Sequence, residues 1–176
     1  MTKFEKLDRL PPYVLAIVND LKLKARRAGE DVVDLGFGNP NHGVPAHVVE
    51  KLVEAARDPR NHHYSASRGL PNLRRAMSRW YLRNFSVELD PETQVISTIG
   101  AKEGLSPFVL AAIARGDTVL CPDPCYPIHS FSVLIAGGDI RRVPLLPLDG
   151  LLERLEEATQ ASWPRPKMLI ASFPHN

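Results

Sequence analysis

From Thr93 onward the chain alternates short β-rich runs (QVISTI, DTVLC, DIRRVPL and KMLIASF) with stretches of helical spacing that begin near Ala101, Ile128 and Leu151. Strand, helix and strand in succession join parallel strands and put helices on the faces of the sheet. The expected class is therefore α/β, with a largely parallel sheet and right-handed crossovers. Before Thr93 the spacing is helical. Val14, Ile17, Val18, Leu21 and Ala25 recur between Pro11 and about Arg27, with Pro11-Pro12 suited to a first turn and Gly29 to a C-terminal cap. An extended run, Val32 to Leu35, leads into GFGNPNHGVP, which is loop by composition. Pro45 to Arg57 and Leu70 to Phe85 read as two further helices, joined through the turn-rich stretch around Tyr64.

Composition excludes several classes of function. With 44% hydrophobic and 24% charged residues, the 176-residue chain matches ordinary globular proteins rather than disordered ones. Its formal charge is +2, with basic residues scattered among acidic ones, so no stripe suits nucleic acid or an anionic membrane. The N-terminus, MTKFEKLDRLPPY, has no signal-peptide core, and no run approaches the roughly 20 apolar residues of a spanning helix. A cytoplasmic location is the expectation. Cys121 and Cys125, in CPDPCYP, match neither a CxxC redox pair nor a zinc knuckle, so free thiols and no metal site are expected.

Three places carry chemistry. In STIGAKEG, residues 97–104, a strand runs through a small-residue turn into a helix, and a helix N-terminus attracts phosphate. Gly100 allows the close turn, Ala101 leaves room for an anion and Lys102 adds charge; a plain strand-to-helix loop reads the same way. In PDPCYP, Tyr126 sits in a proline-stiffened loop after the strand TVLC, where a planar ring can stack on a planar ligand or simply pack at a rim. The final FPHN puts Asn176 after a further strand, where its amide can donate to a ligand oxygen. Together these describe a pocket for a flat, phosphorylated cofactor. A dinucleotide fingerprint in GFGNPN is rejected, because Asn41 stands where the third glycine belongs, Pro40 interrupts the turn and no helix opens immediately.

The runs DLGFGNPNHGVP, HHYSASRGLPNLRRA, STIGAKEG, CPDPCYPIH and ASFPHN resemble, in order and spacing, the N-terminal half of class I/II, fold-type-I aminotransferases, above all the bacterial alanine and LL-diaminopimelate aminotransferase group. The resemblance covers essentially the whole chain. It implies a pyridoxal-phosphate-dependent enzyme that moves an amino group from an amino acid to a 2-oxo acid, working as a homodimer with a shared active site. The implied fold is a three-layer sandwich around a mostly parallel sheet, with residues 1–44 contributing to the small domain and substrate entrance and 45–176 forming the first half of the large, cofactor-binding domain.

Position by position, the resemblance assigns the cofactor phosphate to Gly100, Ala101 and Lys102, ring stacking to Tyr126 and contact with the ring hydroxyl to Asn176. Tyr64 matches a tyrosine that reaches the phosphate of the neighbouring subunit, Gly38 a glycine beside the substrate carboxylate, and Tyr13 a residue lining the substrate entrance. From the residues alone, Tyr64 also reads as a turn aromatic, Tyr13 as a core residue and Gly38 as a positive-φ position.

The resemblance further implies that the catalytic Schiff-base lysine lies beyond residue 176. Of Lys3, Lys6, Lys22, Lys24, Lys51, Lys102 and Lys167, none has its sequence context, and Lys102 beside a phosphate stays protonated, the wrong state for a nucleophile. The chain by itself is thus expected to be inactive, and the alternative reading is a truncated, non-catalytic remnant that binds cofactor phosphate or pairs with another subunit. The run Gln94 to Thr98 is expected to lack an antiparallel partner, leaving the chain marginal or aggregation-prone.

Overall fold

A computed structural model describes residues 8–36, 38 and 40–174. Among the described residues, these helices follow one another: α1 (Val14–Arg27), α2 (Ala46–Arg57), α3 (Pro71–Phe85), α4 (Ala101–Ala112), α5 (Pro127–Ala136) and α6 (Leu151–Gln160). The strands are β1 (Thr118–Asp123), β2 (Asp139–Pro144) and β3 (Met168–Leu169), and a short 3-10 turn spans Pro59–Asn61. Proline opens α3 and α5 and left-handed residues close them, Ser86 (φ 56°) and Gly137 (φ 89°). Pro11 and Pro12 precede α1 rather than forming its first turn. Gly29 (φ 85°) follows α1, its amide bonded to Arg26 O at 3.1 Å.

The residues group into two compact units: one built from Ile99 onward together with the segment ending at Tyr13, the other Val14–Thr98. The first contains the sheet, which is parallel in the order β2-β1-β3; Thr118 pairs with Asp139 and Val119 with Met168. Successive side chains of a strand point to opposite faces. Val119 therefore joins Val109, Ile113 and Val133 of the α4–α5 side, while Leu120 joins Val143, Leu145 and Leu151 of the α6 side. The architecture is the expected three-layer α/β sandwich around a parallel sheet. Burying a valine such as Val119 completely contributes about 1.5–3 kcal/mol, so β1, buried from Thr118 to Pro122, anchors the unit. Charged Arg141 and Arg142 lie on β2, at the sheet's edge, where charge discourages further pairing.

The second unit holds α1, α2 and α3 and has no buried hydrophobic residue among those described. Its buried groups are polar: Ser78 donates to Arg74 O, and the Arg74 guanidinium binds Gly69 O (3.3 Å), Glu92 Oε2 (3.1 Å) and Pro91 O. The stretch Gln94 to Thr98, expected as the first strand, is not one. The Ser97 amide donates to Arg68 O (3.1 Å), a single loop bond rather than a ladder, because β character needs a partner strand and no described segment supplies one. KMLIASF likewise shrinks to the two paired residues of β3.

Candidate functional site

The chemistry gathers where α4 and α5 begin. Gly100 caps α4 with φ 84° and ψ 162°, a conformation essentially reserved for glycine, and turns the chain so that Ala101 and Lys102 open the helix. Glu103, in the same first turn, bends its carboxylate back to accept from the Ile99 amide. Tyr126 caps α5 at the carboxyl end of β1, and Pro127 fixes the first helical φ. The Lys102 ammonium lies 5.0 Å from the Tyr126 ring centroid, within cation–π range. The Tyr126 hydroxyl first, and Tyr13 after it, hold Lys102 above the ordinary lysine range.

Tyr13 packs edge-on against Phe131 of α5, with ring centroids 6.4 Å apart and an interplanar angle of 63°. Tyr13, Lys102, Tyr126, Pro127, Ile128 and Phe131 line a cleft of about 180 Å³. One wall is aromatic, and a cation and a helix N-terminus stand at its edge. Such a cleft receives a flat ring and an anionic group together. Larger grooves of about 320 and 280 Å³ border α6. In the first, Arg154 is occupied by the carbonyls of Pro144 (3.0 Å), Asp149 (3.2 Å), Leu145 (3.4 Å) and Pro147, so its guanidinium serves packing there.

Of the residues singled out in the sequence, Tyr13, Lys102 and Tyr126 meet in this cleft, and Gly100 and Ala101 form the turn from which Lys102 projects. Tyr64 and Gly38 belong to the other unit. Tyr64 is fully exposed; Gly38 is exposed, and a Cβ added there would meet nothing within 4 Å. Asn176 lies outside the described residues. Phe131 and Ile128 were not anticipated. The signal was present, since Phe131 stands four residues after Pro127 and such pairs share a helix face. Among the described residues, no three His, Cys, Asp or Glu side chains gather to hold a metal, and no helix is long and apolar enough to cross a membrane.

A strand-helix scaffold with a small-residue turn and an aromatic-lined cleft at the carboxyl end of β1 defines an α/β unit, and comparison with known proteins specifies its family. A model of the aminotransferase class I and II family matches residues 30–176, and the chain belongs to that family. It is 51% identical over 174 residues to the glutamate-pyruvate aminotransferase AlaC of Escherichia coli, covering 99% of this chain and 42% of that protein. An LL-diaminopimelate aminotransferase of Oleidesulfovibrio alaskensis is 36% identical, over 100% of this chain and 46% of its own length. Among solved structures, substrate-bound BacF of Bacillus subtilis superposes with a TM-score of 0.90 at 30% identity, covering 100% of this chain and 45% of that one. The chain thus spans less than half the length of these relatives.

Proposed function

We propose that these 176 residues are the cofactor-binding half of a pyridoxal-phosphate-dependent aminotransferase that transfers an amino group from an amino acid to a 2-oxo acid. The observation that carries the reading is the meeting of Lys102, the Gly100 turn and Tyr126 around one cleft. The cofactor is a flat pyridine with a phosphate, and when bound it supplies the electron sink for amino-group transfer. The residues fit it. Gly100, Ala101 and Lys102 hold the phosphate at the start of α4, and Tyr126 stacks on the ring. Lys102, whose ammonium lies over the Tyr126 ring, would supply the positive charge for the phosphate.

Tyr13 lines the substrate entrance, Gly38 lies beside the substrate carboxylate and Asn176 meets the ring hydroxyl. Tyr64, exposed in this chain, reaches the phosphate of a second subunit in a homodimer. Residues 1–44 contribute to the small domain and 45–176 to the large one, and the enzyme is cytoplasmic. The name of the 51% relative makes glutamate and pyruvate the first substrate pair to test.

The catalytic lysine lies outside these residues. Lys102, held protonated above the ordinary range, is in the wrong state to act as a nucleophile at neutral pH. Purified chain, and separately a chain extended through its reading frame, are to be titrated with pyridoxal phosphate and assayed with glutamate and pyruvate. Binding by both, with alanine formed only by the extended chain, is the expected result. Alanine formation by the 176 residues alone would sink the assignment. Binding without activity in the extended chain would favour the second reading, a non-catalytic remnant.

A further inference from the structure

Cys121, buried on β1, and Cys125, half-buried in the loop that follows, stand with their sulfurs 3.5 Å apart, the Cys121 thiol donating to Cys125 Sγ. Nothing in the proposed transamination uses either group. The segment between them is Pro122-Asp123-Pro124, whose two rings fix backbone torsions, so an unfolded chain has little freedom to bring sulfurs four residues apart together. The fold does it. Thr118 to Asp123 is locked in register with β2, and Leu145 N donates to Asp123 O (2.8 Å), fixing the strand end where the loop departs. Cys125 immediately precedes Tyr126, the cap of α5 and wall of the cleft.

We propose that Cys121 and Cys125 form a reversible modification site, oxidised by low-molecular-weight disulfides such as oxidised glutathione to an intramolecular disulfide that ties the Tyr126 loop to β1. This goes beyond the aminotransferase reading and does not depend on cofactor binding. Cys125, the more accessible thiol, loses its proton and attacks one sulfur of the oxidant, expelling a glutathione thiolate and leaving a mixed disulfide. Cys121 then gives up its proton and attacks Cys125 Sγ, forming the internal bond and expelling the second glutathione. The two protein thiols lose two electrons and two protons, and one glutathione disulfide becomes two glutathione thiols. Cys121, buried on β1, is out of reach of a glutathione-sized oxidant while half-buried Cys125 is not, which makes Cys121 the resolving group; burial first, and the contact with Cys125 second, also push its thiol up to about 12, so closure quickens as pH rises. The sulfurs must close by about 1.5 Å to reach bonding distance, a movement of side-chain torsions and of the loop.

The test is to equilibrate the wild-type chain in glutathione buffers of graded ratio, in native buffer and in urea, then to trap thiols by alkylation and weigh the products. The native chain is expected to lose both thiols together at a buffer about tenfold more reducing than the unfolded chain requires, the signature of sulfurs held together by the fold. Cys121→Ser is expected to accumulate a glutathione adduct on Cys125, and Cys125→Ser to resist oxidation. Equal midpoints in native buffer and urea, or wild-type chain that stops at the mixed disulfide, would overturn the proposal.

Discussion

At residue scale, Gly100 and Lys102 make separable contributions. Gly100 sits at φ 84° and ψ 162°. A Cβ built there meets nothing within 4 Å, so replacement strains the backbone rather than crowding neighbours. Gly100→Val is expected to lower unfolding stability by about 1–3 kcal/mol, read as a reduced urea midpoint at unchanged slope. Lys102 is exposed and, among the described residues, its contact is with the Tyr126 side chain rather than an ion pair, so Lys102→Gln is expected to lower that midpoint only slightly. The same variant should weaken pyridoxal phosphate binding by up to about fivefold, as an exposed charge pair does when broken. Equal affinity in the two chains would remove Lys102 from the phosphate site. These two residues were legible in the sequence because turn chemistry is local: a small-residue strand-to-helix turn leaves few conformations. Phe131 shares a helix face with Pro127 by spacing, but which residue that face meets, here Tyr13, is decided by tertiary packing.

At the scale of elements, periodicity marks α1 to α6 to within a few residues, and β1 and β2 form where β-rich runs are expected. The run Gln94 to Thr98 carries the same side-chain preference without becoming a strand. β-Propensity records fitness for a pleated, half-buried surface, and the ladder itself comes from a neighbour elsewhere in the chain. How β1 and its neighbours enter the sheet gives a pH prediction. Asp117 Oδ2 accepts from Lys167 Nζ (2.8 Å) and Ala114 N (2.8 Å), and its carbonyl accepts from Asp139 N (2.8 Å), at the mouth of β1, β2 and β3. Lys167 first, then the Ala114 amide, hold its carboxyl below the ordinary 3.8. A depressed folded value means that the carboxylate stabilises the fold above its unfolded pKa, and that this contribution fades as pH falls through the folded value. Asp34, Asp58 and Asp90 are displaced in the same direction. Stability should therefore decline from about pH 5 downward, and Asp117→Asn should flatten part of that decline while lowering stability at neutral pH. Parallel urea midpoint curves for the two chains over this range would remove Asp117 from the acid transition.

At the scale of the whole molecule, the two units differ in what holds them. The sheet unit keeps Val109, Val119, Val133 and Val143 fully out of water. Among the described residues of Val14–Thr98, by contrast, Ile17, Leu21, Val48, Leu52, Trp80 and Phe85 are all exposed, and the buried side chains are Arg74 and Ser78. Amphipathic helices owe most of their stability to packing of the apolar face, and isolated helices of 12–15 residues are marginal in water. The lengths of α1, α2 and α3, 14, 12 and 15 residues, fall in that range. Opening of a segment costs little where little apolar surface is buried, so native-state hydrogen exchange should divide the chain unevenly. Amides of β1, α5 and β2 are expected to exchange slowly, at rates set by global unfolding. Those of α1 and α2 are expected to exchange nearly as fast as unstructured peptide. Protection in α1 and α2 that matches β1 and rises with protein concentration would instead show that their apolar faces are covered by another copy of the chain. Equal protection independent of concentration would mean that the helical unit is stable without a buried hydrophobic core, contrary to the burial pattern.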